Sequence, residues 1–398
     1  MSQASRLQGS RPRQRQLDRK GLSLLATGHF VIDMSVGALP AFLPLFVALY
    51  ALSDLQAAMI VGASLFASSV AQPIFGVIAD RRPAPYFLWG SVVVAVAGLA
   101  AAGLVAGYAG VIAAVFGSGL GVAAWHPEAA RVANRISGTR PATGLAWFMV
   151  GGHLGFSAGP LLASIAIPLF GVEATLVFLI PGSIAAALLV AGRRHVHAEL
   201  APTSAAATLS GVSHIPGLVL ILAVTSMRTW AQFGVLALAP LFLADERGLS
   251  DSAIGLVIFG FAMGGAVGTF GGAWLAERIG GPRMLVWSMP GAAPLIAIFI
   301  LADGPIGIIA LVLSGLLLLA SFSVTVAVGQ SYLPTRLALA AGLMIGFGAI
   351  GSAPLGLAML GAVADILGRE TALWIVAALP VVGALMALFL PEPRSAPG

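Results

Sequence analysis

GHFVIDMSVGALPAFLPLF, residues 28–46, is apolar over a length that fits a bilayer, yet it contains His29 and Asp33. A membrane-spanning helix needs roughly 20 mostly apolar residues. The two polar residues sit four apart, so a helix would stack their side chains on one face, one turn apart. A charge at membrane depth is costly and persists where it lines a polar cavity or meets a partner. Asp33 is therefore a functional candidate, and the rest of the chain must supply its surroundings.

The composition decides the class. The 398 residues are 59% hydrophobic and only 9% charged, against a charged share of about 25% in soluble proteins. The apolar runs are long and lack the alternation of outer-membrane strands, so the chain is expected to be an all-α membrane protein and not a barrel. Twelve apolar segments lie between residues 21 and 390. They fall six and six around a polar gap at 193–215 that holds His195, His197 and His214. These histidines have no thiol beside them in sequence and are expected to be solvated. The absence of cysteine excludes disulfides and thiolate chemistry.

The net charge of +5 is not a nucleic-acid signal, because the basic residues cluster on one side of the predicted spans. Six lie in residues 1–20, one is Arg394, and the even-numbered connections hold Arg81, Arg82, Arg131, Arg135, Arg140, Arg193, Arg194, Arg278, Arg283 and Arg336. Only Arg228, Arg247 and Arg369 lie elsewhere. Short loops rich in arginine stay in the cytoplasm, which predicts cytoplasmic tails at 1–20 and 391–398. Between them come bundles at 21–192 and 216–390, joined by a cytoplasmic linker at 193–215. The two halves are related: Pro44-Leu45-Phe46 recurs as Pro240-Leu241-Phe242, Asp80-Arg81 as Glu277-Arg278, Arg140 as Arg336 and Pro160 as Pro354, all at nearly one offset. A duplicated six-helix unit places a substrate site between the halves near the midplane.

This pattern resembles the major facilitator superfamily. Gly76-Val77-Ile78-Ala79-Asp80-Arg81-Arg82 is similar to that superfamily's signature between helices two and three. There a glycine permits close helix contact and a carboxylate forms a latch that breaks when one side opens. Glu277 and Arg278 form the second-half copy, with Ala273 at the glycine's place. Gly155-Phe156-Ser157-Ala158-Gly159-Pro160 resembles the antiporter motif of segment five. Three stretches together resemble the fosmidomycin-resistance branch: residues 28–44, Trp125-His126-Pro127-Glu128-Ala129-Ala130-Arg131, and Gly151-Gly152-His153-Leu154-Gly155. The resemblance implies proton-driven efflux of an antibiotic or related small molecule across a bacterial inner membrane.

The residues themselves support a similar reading. At ~1.5 Å per residue, Asp33 and Arg228 fall at the same depth in segments one and seven, which the repeat places opposite each other. Asp33, with His29, His126 and Glu128, is the expected proton-coupling set. Arg228, Gln232, His153 and Arg131 are the expected substrate contacts, and an acid–base pairing of Asp33 with Arg228 across the cavity is anticipated. Gly76, Asp80, Arg81, Glu277, Arg278, Gly155, Gly159 and Pro160 are the expected conformational elements. Glu128 and Arg131, three apart, can also form a purely structural pair. No nucleotide-binding loop, helical zinc pair or activated nucleophile is visible, so no enzyme activity, cofactor or metal site is expected. The expected partners are protons, a small-molecule substrate and the bilayer, with the chain acting as a monomer. An importer of an organic anion or nutrient, or a lipid flippase or membrane sensor, are the alternatives.

Overall fold

The computed structural model describes residues 17–81, 86–138, 141–196, 213–334, 340 and 343–391. Those residues form an all-helical bundle without a strand. The first six spans are α1 (Arg19–Tyr50), α2 (Asp54–Arg81), α3 (Tyr86–Ala102), α4 (Gly107–Ile136), α5 (Pro141–Phe170) and α6 (Leu179–Ala191). The last six are α7 (Ile215–Asp245), α8 (Asp251–Ile279), α9 (Gly281–Leu301), α10 (Pro305–Tyr332), α11 (Leu343–Leu367) and α12 (Arg369–Ala387). Ten stretches are long and apolar enough to cross a membrane. One of them, Gly144–Ala191, contains both α5 and α6, and the shorter α3 completes the twelve. At ~1.5 Å rise per residue, the 17 residues of α3 still reach ~26 Å.

α1 and α7 are the most deeply buried spans, the central helix of each half. Helix association in lipid relies on small residues that let backbones approach, and α5 meets α1 in this way. Gly151, Gly155 and Gly159 repeat every turn and lie against the backbones of Ala26, Phe30 and Met34, with no room for a Cβ. In the second half, Gly264, Gly268 and Gly272 of α8 lie against Val312, Leu316 and Ala320 of α10 in the same manner. The halves meet along α5 against α8 and α2 against α11. At the first of these seams Ser252 Oγ donates to the Ser164 carbonyl at 2.6 Å, and Gly255 abuts the Pro160 carbonyl.

Several helix ends are capped locally. Asp18 accepts from the Gly21 amide at 3.0 Å at the start of α1, Ser250 from Ala253 at 3.4 Å before α8, and His214 Nδ1 from Gly217 at 2.9 Å before α7. At the start of the polar gap the structure adds a local element and corrects one expectation. Residues Arg193–Val196 form a helical turn. His195 is not a bare solvated side chain, since its Nδ1 lies 2.9 Å from Asp18 Oδ2. The acidic partner comes from the start of α1, far away in sequence, so local inspection of the gap does not find it. His197 lies outside the described residues.

Candidate functional site

Two histidines converge on one carboxylate in the middle of the bundle. His29 stacks on Phe148 of α5, with ring centroids 4.1 Å apart, and its Nδ1 lies 2.9 Å from the Phe148 carbonyl oxygen. His126 on α4 holds its own Nδ1 2.9 Å from the Val122 carbonyl oxygen one turn earlier. A carbonyl only accepts, so each Nδ1 must carry the hydrogen, and each neutral imidazole is left with a bare lone pair on Nε2. Both Nε2 atoms lie beside the carboxylate of Asp33: His29 Nε2 is 3.2 Å from Oδ2, and His126 Nε2 is 3.7 Å from Oδ1. With both imidazoles neutral and Asp33 ionised, three acceptor groups lie together, and a proton or another cation shared among them satisfies the arrangement.

Gly152 of α5 borders this space. A Cβ built on it would lie 2.6 Å from Asp33 Oδ2 and from His29 Cε1 and Nε2. The missing side chain lets α5 lie close against His29 and Asp33. Sequence reading placed His29, Asp33 and His126 in one set, and the structure brings all three together. It did not single out Gly152, whose importance depends on the α1–α5 register.

The second element of the site is Arg228, the fourteenth residue of α7, at the depth of Asp33, the fifteenth residue of α1. Arg228 is fully buried. Its Nη1 donates to Gln232 Oε1 at 2.9 Å and its Nη2 to Thr229 Oγ1 at 3.0 Å, while the guanidinium lies 5.2 Å from the centre of the Phe322 ring. Its Nε has no hydrogen-bond partner. The anticipated pairing with Asp33 does not form. Among the described residues, no carboxylate lies within ion-pair distance of Arg228. The pairing failed because Gln232 and Thr229, on the same helix, hold the guanidinium against α7.

His153 links the two elements. Its chain neighbour Gly152 borders the Asp33 carboxylate. Its ring sits edge-on to Phe322, which carries Arg228 on its face, and to Phe270 of α8. Phe270 and Phe322 are apolar in sequence, and nothing local marked them as neighbours of a polar centre. Glu128, in contrast, is fully engaged by Arg131: Nε to Oε2 is 2.9 Å, with a second contact from Nη2 to Oε1. Glu128 is almost completely buried in that pair.

The expected conformational residues divide. Gly155 and Gly159 seat α5 on α1 and Pro160 faces α8, as described above. Gly76 does not make the anticipated tight contact. A Cβ there would meet only Pro127, at an ordinary 3.7 Å, and Ala273 at the equivalent second-half position fits the same conclusion. Arg278 stacks on Trp274 at 3.7 Å. The side chains of Asp80, Arg81 and Glu277 lie outside the described residues.

Sequence reading missed a polar group at the end of the bundle where α2 begins. Asp54 Oδ1 accepts from Arg369 Nε at 2.7 Å, and Arg369 Nη1 also meets Asp245 at 2.5 Å. Asp365 accepts from the amides of Asp54 and Leu55 at 2.6 and 3.3 Å, capping α2 from α11. Helix N-termini attract carboxylates in this way.

Comparison with known proteins agrees with this architecture. The family model described as Major Facilitator Superfamily matches residues 25–231 and 221–398. The chain belongs to the Major Facilitator Superfamily. Within it, the chain is 29% identical over 379 residues to the fosmidomycin resistance protein of Escherichia coli (strain K12), covering 94% of this chain and 93% of that one. It is 28% identical over 383 residues to YfnC of Bacillus subtilis (strain 168), an uncharacterized MFS-type transporter, with 93% and 92% covered. Its fold is similar to that of a bacterial homologue of the human lysosomal transporter Spinster, solved in an inward-facing and occupied conformation. That match has a TM-score of 0.78 at 16% identity, over 94% of this chain and 98% of the other.

Proposed function

We propose that the chain is a proton-coupled antiporter that exports a small anionic or polar compound by alternating access. The convergence of two imidazole lone pairs on Asp33 carries this reading, because a proton is the smallest cation that satisfies it. With a proton on the group, the carboxylate's charge is neutralised. Without it the carboxylate is free, and antiport requires this to be the state in which Arg228 takes the cargo, so that proton and substrate occupy the cavity in turn. Arg228 supplies the opposite pole: a buried guanidinium with no carboxylate partner among the described residues favours a ligand that brings one negative charge. His153, between the two, is the group through which proton and substrate sense each other, and Gln232 and Arg131 complete the expected contacts.

The bundles at 21–192 and 216–390 are the moving bodies, tied by the linker at 193–215. With both tails in the cytoplasm of a bacterial inner membrane, the Asp54–Arg369–Asp245 group lies on the outer face and closes it. Proton and substrate drive the cycle only by binding one state better than the other. The name of the Escherichia coli relative supports a phosphonate antibiotic such as fosmidomycin as the first substrate to test.

The test uses purified chain in proteoliposomes under an imposed pH gradient, with fosmidomycin flux measured in both directions. Gradient-driven export lost in Asp33→Asn, with folding retained, supports the proposal. Full gradient-driven flux in that variant removes Asp33 as the proton carrier, and flux in the direction of the proton removes the antiporter.

A further inference from the structure

We propose that His29 Nε2, the Asp33 carboxylate and His126 Nε2 form a binding site for a divalent transition-metal ion of the zinc class. The potential ligand atoms all lie within 4.8 Å of one another. Zinc holds imidazole nitrogen and carboxylate oxygen at about 2.0–2.2 Å, so tetrahedral neighbours sit roughly 3.4 Å apart. His29 Nε2 lies 3.2 Å from Oδ2 and His126 Nε2 3.7 Å from Oδ1, so each imidazole stands near that separation from one oxygen of the same carboxylate. Both histidines also have the outer support that metal-ligating imidazoles need. Each Nδ1 hydrogen is committed to a backbone carbonyl, which leaves Nε2 free and fixes the ring.

The space beside Gly152 sits against these atoms, and only a residue without a Cβ leaves it free. Two imidazoles and one carboxylate suit zinc, cobalt or nickel better than magnesium or calcium, which prefer all-oxygen shells. The chain has no cysteine and only six histidines, so few competing sites exist. Three protein ligands leave a fourth position open to water or to an anionic ligand.

A bound ion would hold the carboxylate and both imidazoles together and stop the transport cycle. This inhibitory consequence rests on the reading of Asp33 as the proton carrier; the binding itself does not. The experiment titrates Co²⁺ and Zn²⁺ into detergent-purified full-length chain with its affinity tag removed, using visible absorption and calorimetry. The expected result is one ion per chain. Loss of outer supports alone costs about 10–100-fold in metal affinity, so Asp33→Asn and His126→Ala are each expected to weaken binding by at least ~100-fold. A His195→Ala/His214→Ala control is expected to bind unchanged.

Thermal unfolding checks that both variants fold. Absence of saturable binding at one ion per chain, or full affinity in Asp33→Asn and His126→Ala, overturns the proposal. If binding behaves as expected but Asp33→Asn still exports against the gradient, the transport reading fails alone. If export requires Asp33 but no ion binds, only the metal site fails.

Discussion

Asp54, the first residue of α2, and Arg369, the first residue of α12, are 315 positions apart and meet at 2.7 Å. The pair joins the two halves of the molecule, and Arg369 carries Asp245 as a second partner. Asp365 reinforces it by capping α2 from the other half. Cutting this group should loosen the closed end. A partly buried ion pair contributes about 1 kcal/mol, roughly fivefold in a two-state equilibrium. Because the chain lacks cysteine, Ser53→Cys and Leu367→Cys can be spin-labelled directly. Arg369→Ala is expected to widen the label distance distribution by populating an open form, and an unchanged distribution would show that the group does not hold this end.

The Arg228 guanidinium is fully buried and has an orphan Nε. Replacement by Gln removes the charge while keeping a polar side chain, and is expected to lower apparent affinity for an anionic substrate at least tenfold. Arg228→Lys should recover the charge but not the fork that bonds Gln232 and Thr229 together. Concentration-dependent flux checks both variants. Equal affinity in Arg228→Gln and the parent would exclude this residue from the substrate site.

Gly155 touches the backbone of Phe30. Added volume in a packed interior costs typically 1–3 kcal/mol, and contact with backbone leaves no side chain to move aside. Gly155→Val is thus expected to lower the unfolding temperature of the purified protein by several degrees. Gly76→Ala, whose Cβ would meet Pro127 at an ordinary 3.7 Å, should leave it unchanged. The contrast separates the two motifs that look alike in sequence.

Asp18 supplies a pH-dependent contact. Burial pushes its carboxyl upward, but the Gly21 amide and His195 outweigh this and hold it below its ordinary range. A lowered folded-state value stabilises the protein above the unfolded value of about 3.9, and the stabilisation disappears as pH falls through the folded value. Asp18→Asn keeps a capping oxygen but loses the charge, and is expected to cost up to about 1 kcal/mol at neutral pH, the usual worth of a carboxylate at a helix N-terminus. The difference from the parent should vanish in acid. Thermal melts across pH 3–7 provide the comparison.

His29 and Asp33 show how far local information reaches. Their spacing of four placed both on one face of α1, and the apolar run around them made their depth legible, because the bilayer penalty depends on composition along a short window. The class of the protein, its twelve spans, its duplicated halves and the polar residues worth attention were determined by sequence for the same reason. The orientation of the His29 imidazole was not. It depends on the carbonyl of Phe148, 119 residues from His29, which arrives only because Gly151, Gly155 and Gly159 bring α5 onto α1.

Tertiary structure alone also decided that Arg228 bonds Gln232 and Thr229 and not Asp33, that Gly76 is roomy, and that Asp54 finds Arg369. For Gly76 and Asp54 the deciding quantity is a distance of a few ångströms between helices, set by how side chains pack across a seam, and for Arg228 it is the pair of acceptors that its own helix offers. Periodicity and composition constrain which face a residue occupies, but the partner on that face is chosen by the packing of the whole bundle.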